Sequence, residues 1–183
     1  MVQYLFSKRV FIPITYNMKV MVHDLNEEDF LQLGIRNNDY TVINTNVTAV
    51  PCVGCYNCWL KTPGTCKIND CLNNSGSLLG NSEETVLISQ NCYGGYSEYV
   101  KKVLDRSISV SLPFFTYRSW KVRHVKRYKT NRNQLTVILY GDFLESEIKT
   151  AELLVEANRS NMGFKVVTLH IINNINEIAQ VLK

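Results

Sequence analysis

The stretch TVLISQNCYGGYSEYV, Thr85–Val100, decides the fold. Thr85–Ser89 is a short, uniformly apolar and β-branched block, the pattern of a strand buried on both faces. It runs into the loop Asn91–Cys92–Tyr93–Gly94–Gly95–Tyr96. Ser97 can then cap a helix that carries Val100, Val103, Leu104 and Ser107 or Ile108 at helical spacing. A buried strand, a glycine-containing loop and an amphipathic helix form one unit of a parallel sheet.

The same unit repeats outward in both directions. Upstream, Lys19–His23 and Tyr40–Thr45 read as strands, with a short helix from Asp24 or Asn26 to Leu33, stopped by Gly34. A weak helix is expected over Leu72–Leu79. Downstream, Leu135–Tyr140 and Phe164–Ile172 are strands, separated by the longest amphipathic helix, Glu145–Asn161, which Gly163 ends. Ile175–Leu182 closes the chain as a helix. Five strands alternating with helices predict an α/β three-layer sandwich with a parallel sheet of flavodoxin-like order 2-1-3-4-5 and a cysteine-rich insertion after strand 2. Ligands are then expected at the carboxyl ends of the strands. Residues 18–183 are expected to form a single domain. Residues 1–17 read as an N-terminal extension, with Val10–Tyr16 a strand interrupted by Pro13.

The chain has 183 residues, 45% hydrophobic and 20% charged, the composition of a globular protein. No apolar run reaches membrane-spanning length, and the first residues lack a signal-peptide pattern, which points to a cytoplasmic protein. The net charge of +4 is local. Arg106, Arg118, Lys121, Arg123, Lys126, Arg127, Lys129 and Arg132 lie in a segment without Asp or Glu. Outside it, 12 bases face all 16 acids. That favours a solvated loop or one anion site, and ranks specific nucleic-acid binding last.

Five of the six cysteines fall in PCVGCYNCWLKTPGTCKINDC, Pro51–Cys71. Cys52, Cys55, Cys58 and Cys66 follow C-x2-C-x2-C-x7-C, with Gly54, Pro63 and Gly64 at turn-prone positions. In a reducing compartment such crowding means metal or redox chemistry rather than disulfides. The run of x2 spacings ranks an iron–sulfur cluster first. Structural zinc is second, and unmetallated thiols third. Cys71 is a spare or alternative ligand, and Cys92 a passenger.

Cys52-x2-Cys55-x2-Cys58-Trp59 with Lys61–Gly64 and Cys66 resembles the signature of flavodoxin-fold NAD(P)H-dependent FMN reductases and iron–sulfur flavoproteins. Tyr93–Ser97 with Val100–Lys101 and Leu104–Arg106, Pro113–Phe115, His124 with Arg127–Tyr128, and Leu153–Asn158 resemble further segments of that family. The resemblance implies an FMN at the strand ends, NAD(P)H as co-substrate, an unidentified electron acceptor and a homo-oligomer. It implies a [4Fe-4S] cluster on Cys52, Cys55, Cys58 and Cys66, and flavin contacts from Tyr93, Gly94, Gly95, Tyr96, Gly141 and Asp142. No side chain is implied as acid or base. One departure stands out. The family's Gly/Ser/Thr-rich phosphate loop after strand 1 is replaced by Asp24–Leu25–Asn26–Glu27–Glu28–Asp29, whose four acids repel a phosphate.

Overall fold

The computed structural model describes residues 18–35, 39–45, 48–118 and 120–182. The expected strand over Val10–Tyr16 lies outside them. Five parallel strands form the main sheet: β1 (Lys19–His23), β2 (Thr41–Ile43), β3 (Glu84–Gln90), β6 (Gln134–Tyr140) and β7 (Val166–Ile172). Their order is β2-β1-β3-β6-β7. With the hairpin strands β4 (Ser111–Arg118) and β5 (Lys121–Lys126) set aside, this is the expected 2-1-3-4-5 of a flavodoxin-like fold.

Period-2 alternation along the strands feeds two cores. Val20, Val22, Leu87, Leu135, Val137 and Leu139 point to one face. There they meet Leu79 of α3 (Ser75–Asn81), Val100 and Val103 of α4 (Glu98–Arg106), and Ala151 and Val155 of α5 (Glu145–Met162). Met21, Val86, Ile88, Ile138 and Ile172 point to the other face. Leu25, Phe30 and Leu33 in and around α1 (Glu27–Gln32) cover it, with Ile178 of a short closing helix, Ile178–Val181. Each fully buried aliphatic side chain contributes about 1.5–3 kcal/mol.

Three local details differ from the sequence expectation. The helix before β3 starts at Ser75 rather than Leu72, because Leu72 turns into the core and its carbonyl accepts from Ser75. β7 starts at Val166, because Phe164 leaves the strand to fill the core beneath the Arg132 guanidinium. The β4–β5 hairpin is unanticipated. It pairs Phe115 with His124 and Tyr117 with Val122, and leaves Phe114, Phe115, Tyr117, Val122 and Trp120 exposed. Among the described residues no helix is long and apolar enough to cross a membrane.

The basic segment is mostly consumed by structure. Arg132 donates to the carbonyls of Met162 and Leu79, Lys126 to Gly163, and Arg127 to Ser109. Two of these cap the carboxyl end of α5, where the helix dipole favours cations. Burial lowers Arg132 to about 10.

Candidate functional site

Parallel strands leave their carboxyl ends on one rim. Here β3 runs into Asn91–Tyr96 and β6 into Gly141–Asp142. The Asn91 side chain ties the two loops together: its amide donates to the Asp142 carbonyl at 2.7 Å and to Glu147 at 2.9 Å. Its carbonyl accepts from Gly94 N–H at 2.9 Å. Cys92 and Gly95 exchange backbone hydrogen bonds across the turn. Gly94, at φ 79°, seats this turn on α5; a Cβ there would lie 2.5 Å from the Glu147 carbonyl. The loop is therefore rigid.

This architecture brings together some of the expected contacts and separates one. Tyr93 stands 85% exposed, in left-handed backbone at φ 54°. It lines an open cavity of about 450 Å³ with Asn91, Cys92, Asp142, Phe143 and Glu147. Gly94 and Gly95 form the floor of the turn, and Gly141 (φ 109°) adjoins Asp142. Tyr96 turns the other way. It is 8% exposed, its hydroxyl accepts from Asn158 at 2.9 Å, and burial pushes it up to about 12. Tyr96 is a core residue that braces α5, and it shows no face to the rim.

At the next position along the rim the acids after β1 decide the electrostatics. Asp24 accepts from Gln90 N–H at 2.9 Å with one oxygen and from the Tyr140 hydroxyl at 3.0 Å with the other. Burial, then the neighbouring Asp24 charge, holds Tyr140 well above its ordinary value. Asn26 caps α1 by accepting from Asp29 N–H, with Glu27, Glu28 and Asp29 in that first turn. Three donors there, Gln90 N–H, the Tyr140 hydroxyl and Asp29 N–H, are taken by the chain's own Asp24 and Asn26 oxygens, and the acids repel a phosphate. An FMN phosphate does not fit there.

The cysteine stretch is built elsewhere. Tyr99, in the first turn of α4, donates to the Asn44 carbonyl. Arg106, the last residue of α4, donates to the Val50 carbonyl at 2.7 Å. Seven residues at about 1.5 Å rise put about 10 Å between these points. The chain thus descends along α4, and the cysteines lie at its far end rather than beside the Asn91–Tyr96 loop. There the Arg106 guanidinium holds them. It pairs with both Asp70 oxygens (2.8 and 2.7 Å), donates to the Ile68 carbonyl, and reaches Cys66 Sγ at 3.2 Å. Hydrogen bonding from Arg106 holds Asp70 down to about 2.

Cys58 is buried in the short helix α2 (Asn57–Leu60), and Cys55 is exposed. Burial, then the charges of Cys66, Cys52 and Cys55, pushes the Cys58 thiol up. The other three cysteines of the motif thus stand within electrostatic reach of Cys58, and a cation would relieve the mutual repulsion of their thiolates. Yet among the described residues no three His, Cys, Asp or Glu converge closely enough to hold a metal ion. Cys71 stays apart, exposed beside Thr48, and Cys92 belongs to the rim turn. Sequence reasoning missed Asp70, Asn91 and Glu147, and did not assign Arg106 a role. Asp70 and Arg106 sit 36 positions apart, a separation no local pattern links.

No protein-family model matches the chain, and no curated protein is similar to it in sequence. Among solved structures, it is similar to an NAD(P)H:quinone oxidoreductase from Methanothermobacter marburgensis, with a TM-score of 0.52 and 11% identity. The match covers 90% of this chain and 92% of the other. At that identity the likeness shows the shared fold.

Proposed function

We propose that this chain is an NAD(P)H-dependent flavin oxidoreductase that takes its flavin as a diffusible substrate, with the cysteine loop as a separate metal–thiolate centre. The observation that carries it is the rim cavity. At the carboxyl ends of two adjacent parallel strands, the position where such sheets bind ligands, an exposed Tyr93 and Asp142 line one open cavity. The solved structure of the same fold, an NAD(P)H:quinone oxidoreductase, supports this direction.

In this reading the nicotinamide gives a hydride to the flavin, chemistry that belongs to the two rings themselves. The protein positions and shields them. Tyr93 offers a flat face to one ring, the Asn91–Asp142 tie fixes the width of the cleft, and Gly94 keeps backbone and α5 in register. Because Asp24 fills the phosphate seat, the flavin is held by its ring alone. The finer assignment of a [4Fe-4S] cluster on Cys52, Cys55, Cys58 and Cys66 belongs to the same proposal. Four thiolates are the right chemistry for a soft centre, the loop must close around it because the cysteines do not converge here, and the Arg106 N–H on Cys66 is the kind of hydrogen bond that tunes cluster sulfur.

Oxidation of NADH and NADPH at 340 nm with added riboflavin or FMN tests the reading. Flavin-dependent turnover, reduced at least tenfold in Tyr93→Ala, is expected. Turnover unaffected by Tyr93→Ala, or absent with both flavins, would overturn it.

One observation favours a second reading, a flavin-free binding protein whose cysteines hold zinc: the same Asp24, satisfied by Gln90 and Tyr140. Stoichiometric zinc together with no flavin turnover would select it.

A further inference from the structure

A second cavity, of about 460 Å³, opens between the β4–β5 hairpin, the carboxyl end of α4 and the last turns of α5. It shares no lining residue with the rim cavity. Its volume suits a small molecule.

One wall is a run of rings. Trp59 and His124 lie 5.1 Å apart between centroids, and His124 and Phe115 4.4 Å apart. Two of these rings are pinned. The Trp59 indole N–H donates to the Ile108 carbonyl at 3.1 Å. His124 Nδ1 lies 2.9 Å from the Leu112 carbonyl. A carbonyl only accepts, so Nδ1 carries the proton, and Nε2 of the neutral ring is a lone pair. Among the described residues that lone pair has no hydrogen-bond partner.

The rest of the lining includes polar and positive groups. Arg123 donates one N–H to the Asn161 carbonyl oxygen at 3.1 Å, which leaves most of its planar fork for a ligand. The side-chain amide of Asn158 is spent on Tyr96, so its carbonyl remains. Asp105 also reaches the cavity, but Lys101 holds its carboxylate at 2.5 Å. Glu156, whose charge also reaches Arg123, is held by Arg159, so Arg123 is the guanidinium that the cavity offers to a ligand.

We propose that this cavity binds a planar aromatic acid of one or two fused rings. The ring packs against the tilted rings of Trp59, His124 and Phe115, 46° and 32° between neighbours, the acid group takes the Arg123 fork, and a phenolic hydroxyl, where present, donates to His124 Nε2. The aromatic side chains select the ring, and the guanidinium selects a carboxylate or sulfonate over a neutral or cationic analogue. The proposal needs neither flavin nor metal.

The chain has two tryptophans, so Trp120→Phe leaves Trp59 as the reporter. In that background 6-hydroxy-2-naphthoate, whose hydroxyl and acid lie at opposite ends of the ring, is titrated against Trp59 fluorescence. Saturable quenching is expected. Arg123→Met should weaken it about tenfold, the loss of one charge-assisted contact. Binding of 2-naphthol, which lacks the acid, should not change. Circular dichroism checks that the Arg123→Met protein is folded, and His124→Gln, which should weaken the phenolic acid more than 2-naphthoate, gives a second reading should it not be. Tyr93→Ala should leave quenching intact. No saturable quenching by folded protein, equal affinity in Arg123→Met, or loss of quenching in Tyr93→Ala would each overturn the proposal.

Discussion

The guanidinium of Arg106 and the carboxylate of Asp70 form a bidentate pair, 2.7 and 2.8 Å, with the arginine side chain wholly buried. The pair closes the cysteine loop on itself, because Arg106 also takes the carbonyls of Val50 and Ile68 and the sulfur of Cys66. All five guanidinium donors are engaged, the condition under which burying a charge is tolerable.

Removing one partner should therefore be severe. Arg106→Met leaves the Asp70 charge without its ion partner, held only by the Val50 and Leu72 N–H groups, strips a donor from the Val50 and Ile68 carbonyls, and should cost about 3–5 kcal/mol by urea unfolding. It should also lower metal uptake by the cysteines. Lys101→Met, an exposed pair on the same helix, should change stability by less than about 1 kcal/mol.

Acid should weaken the fold in two windows. His23 is 1% exposed and stacked on Phe30 at 4.2 Å, and among the described residues neither ring nitrogen has a hydrogen-bond partner. Burial holds it down to about 4. Above about pH 6.5 the ring is neutral folded and unfolded and adds no pH dependence. Below it the unfolded chain takes a proton that the fold refuses, so stability falls between pH 6.5 and 4, by about 3 kcal/mol. Asp70 contributes stability that is present above its unfolded value of 3.8 and is lost as pH falls through about 2. Unfolding free energy measured against pH should show both windows. His23→Leu should flatten the upper one alone and leave stability at pH 7 unchanged or higher.

The occupied seat at Asp24 predicts an inverted preference among flavins. Riboflavin should bind at least as tightly as FMN, judged by quenching of flavin fluorescence. Asp24→Asn removes the nearest charge and should shift the ratio towards FMN by about tenfold, one charge's worth of repulsion near a surface. An FMN preference in the unmodified protein would contradict the assignment of Asp24.

The two tyrosines of the turn should separate cleanly. Tyr96→Phe loses the hydrogen bond with Asn158 and should cost about 1 kcal/mol of stability without changing flavin-dependent turnover. Gly94→Ala should disrupt both, because the added methyl meets the Glu147 carbonyl and Thr150 in backbone that L-residues avoid.

These contrasts show what the sequence carries. The three central strands are legible because each is an apolar block buried on both faces, the edge strands β2 and β7 because they are rich in β-branched residues, and α1 because Asn26 and the acids behind it are an ordinary helix start. The β4–β5 hairpin is not, since Pro113 and its exposed aromatics break the alternation that marks a half-buried strand. The crowding of the cysteines is legible from their spacing. Their position is not, because a single long-range ion pair, Arg106–Asp70, sets it. Tyr93 and Tyr96 look equivalent in the sequence, and only the fixed turn between them sends one outward and the other into the core. The basic run reads as an anion site, whereas Lys126, Arg127 and Arg132 are committed to backbone carbonyls.

The most direct test of the account is the absorbance spectrum, with iron, labile sulfide, zinc and flavin content, of protein purified without oxygen. The account predicts stoichiometric iron and sulfide lost in Cys58→Ser, little retained flavin, and NAD(P)H oxidation that appears when riboflavin is added. Protein free of iron and sulfide that also gives no flavin-dependent turnover would contradict it.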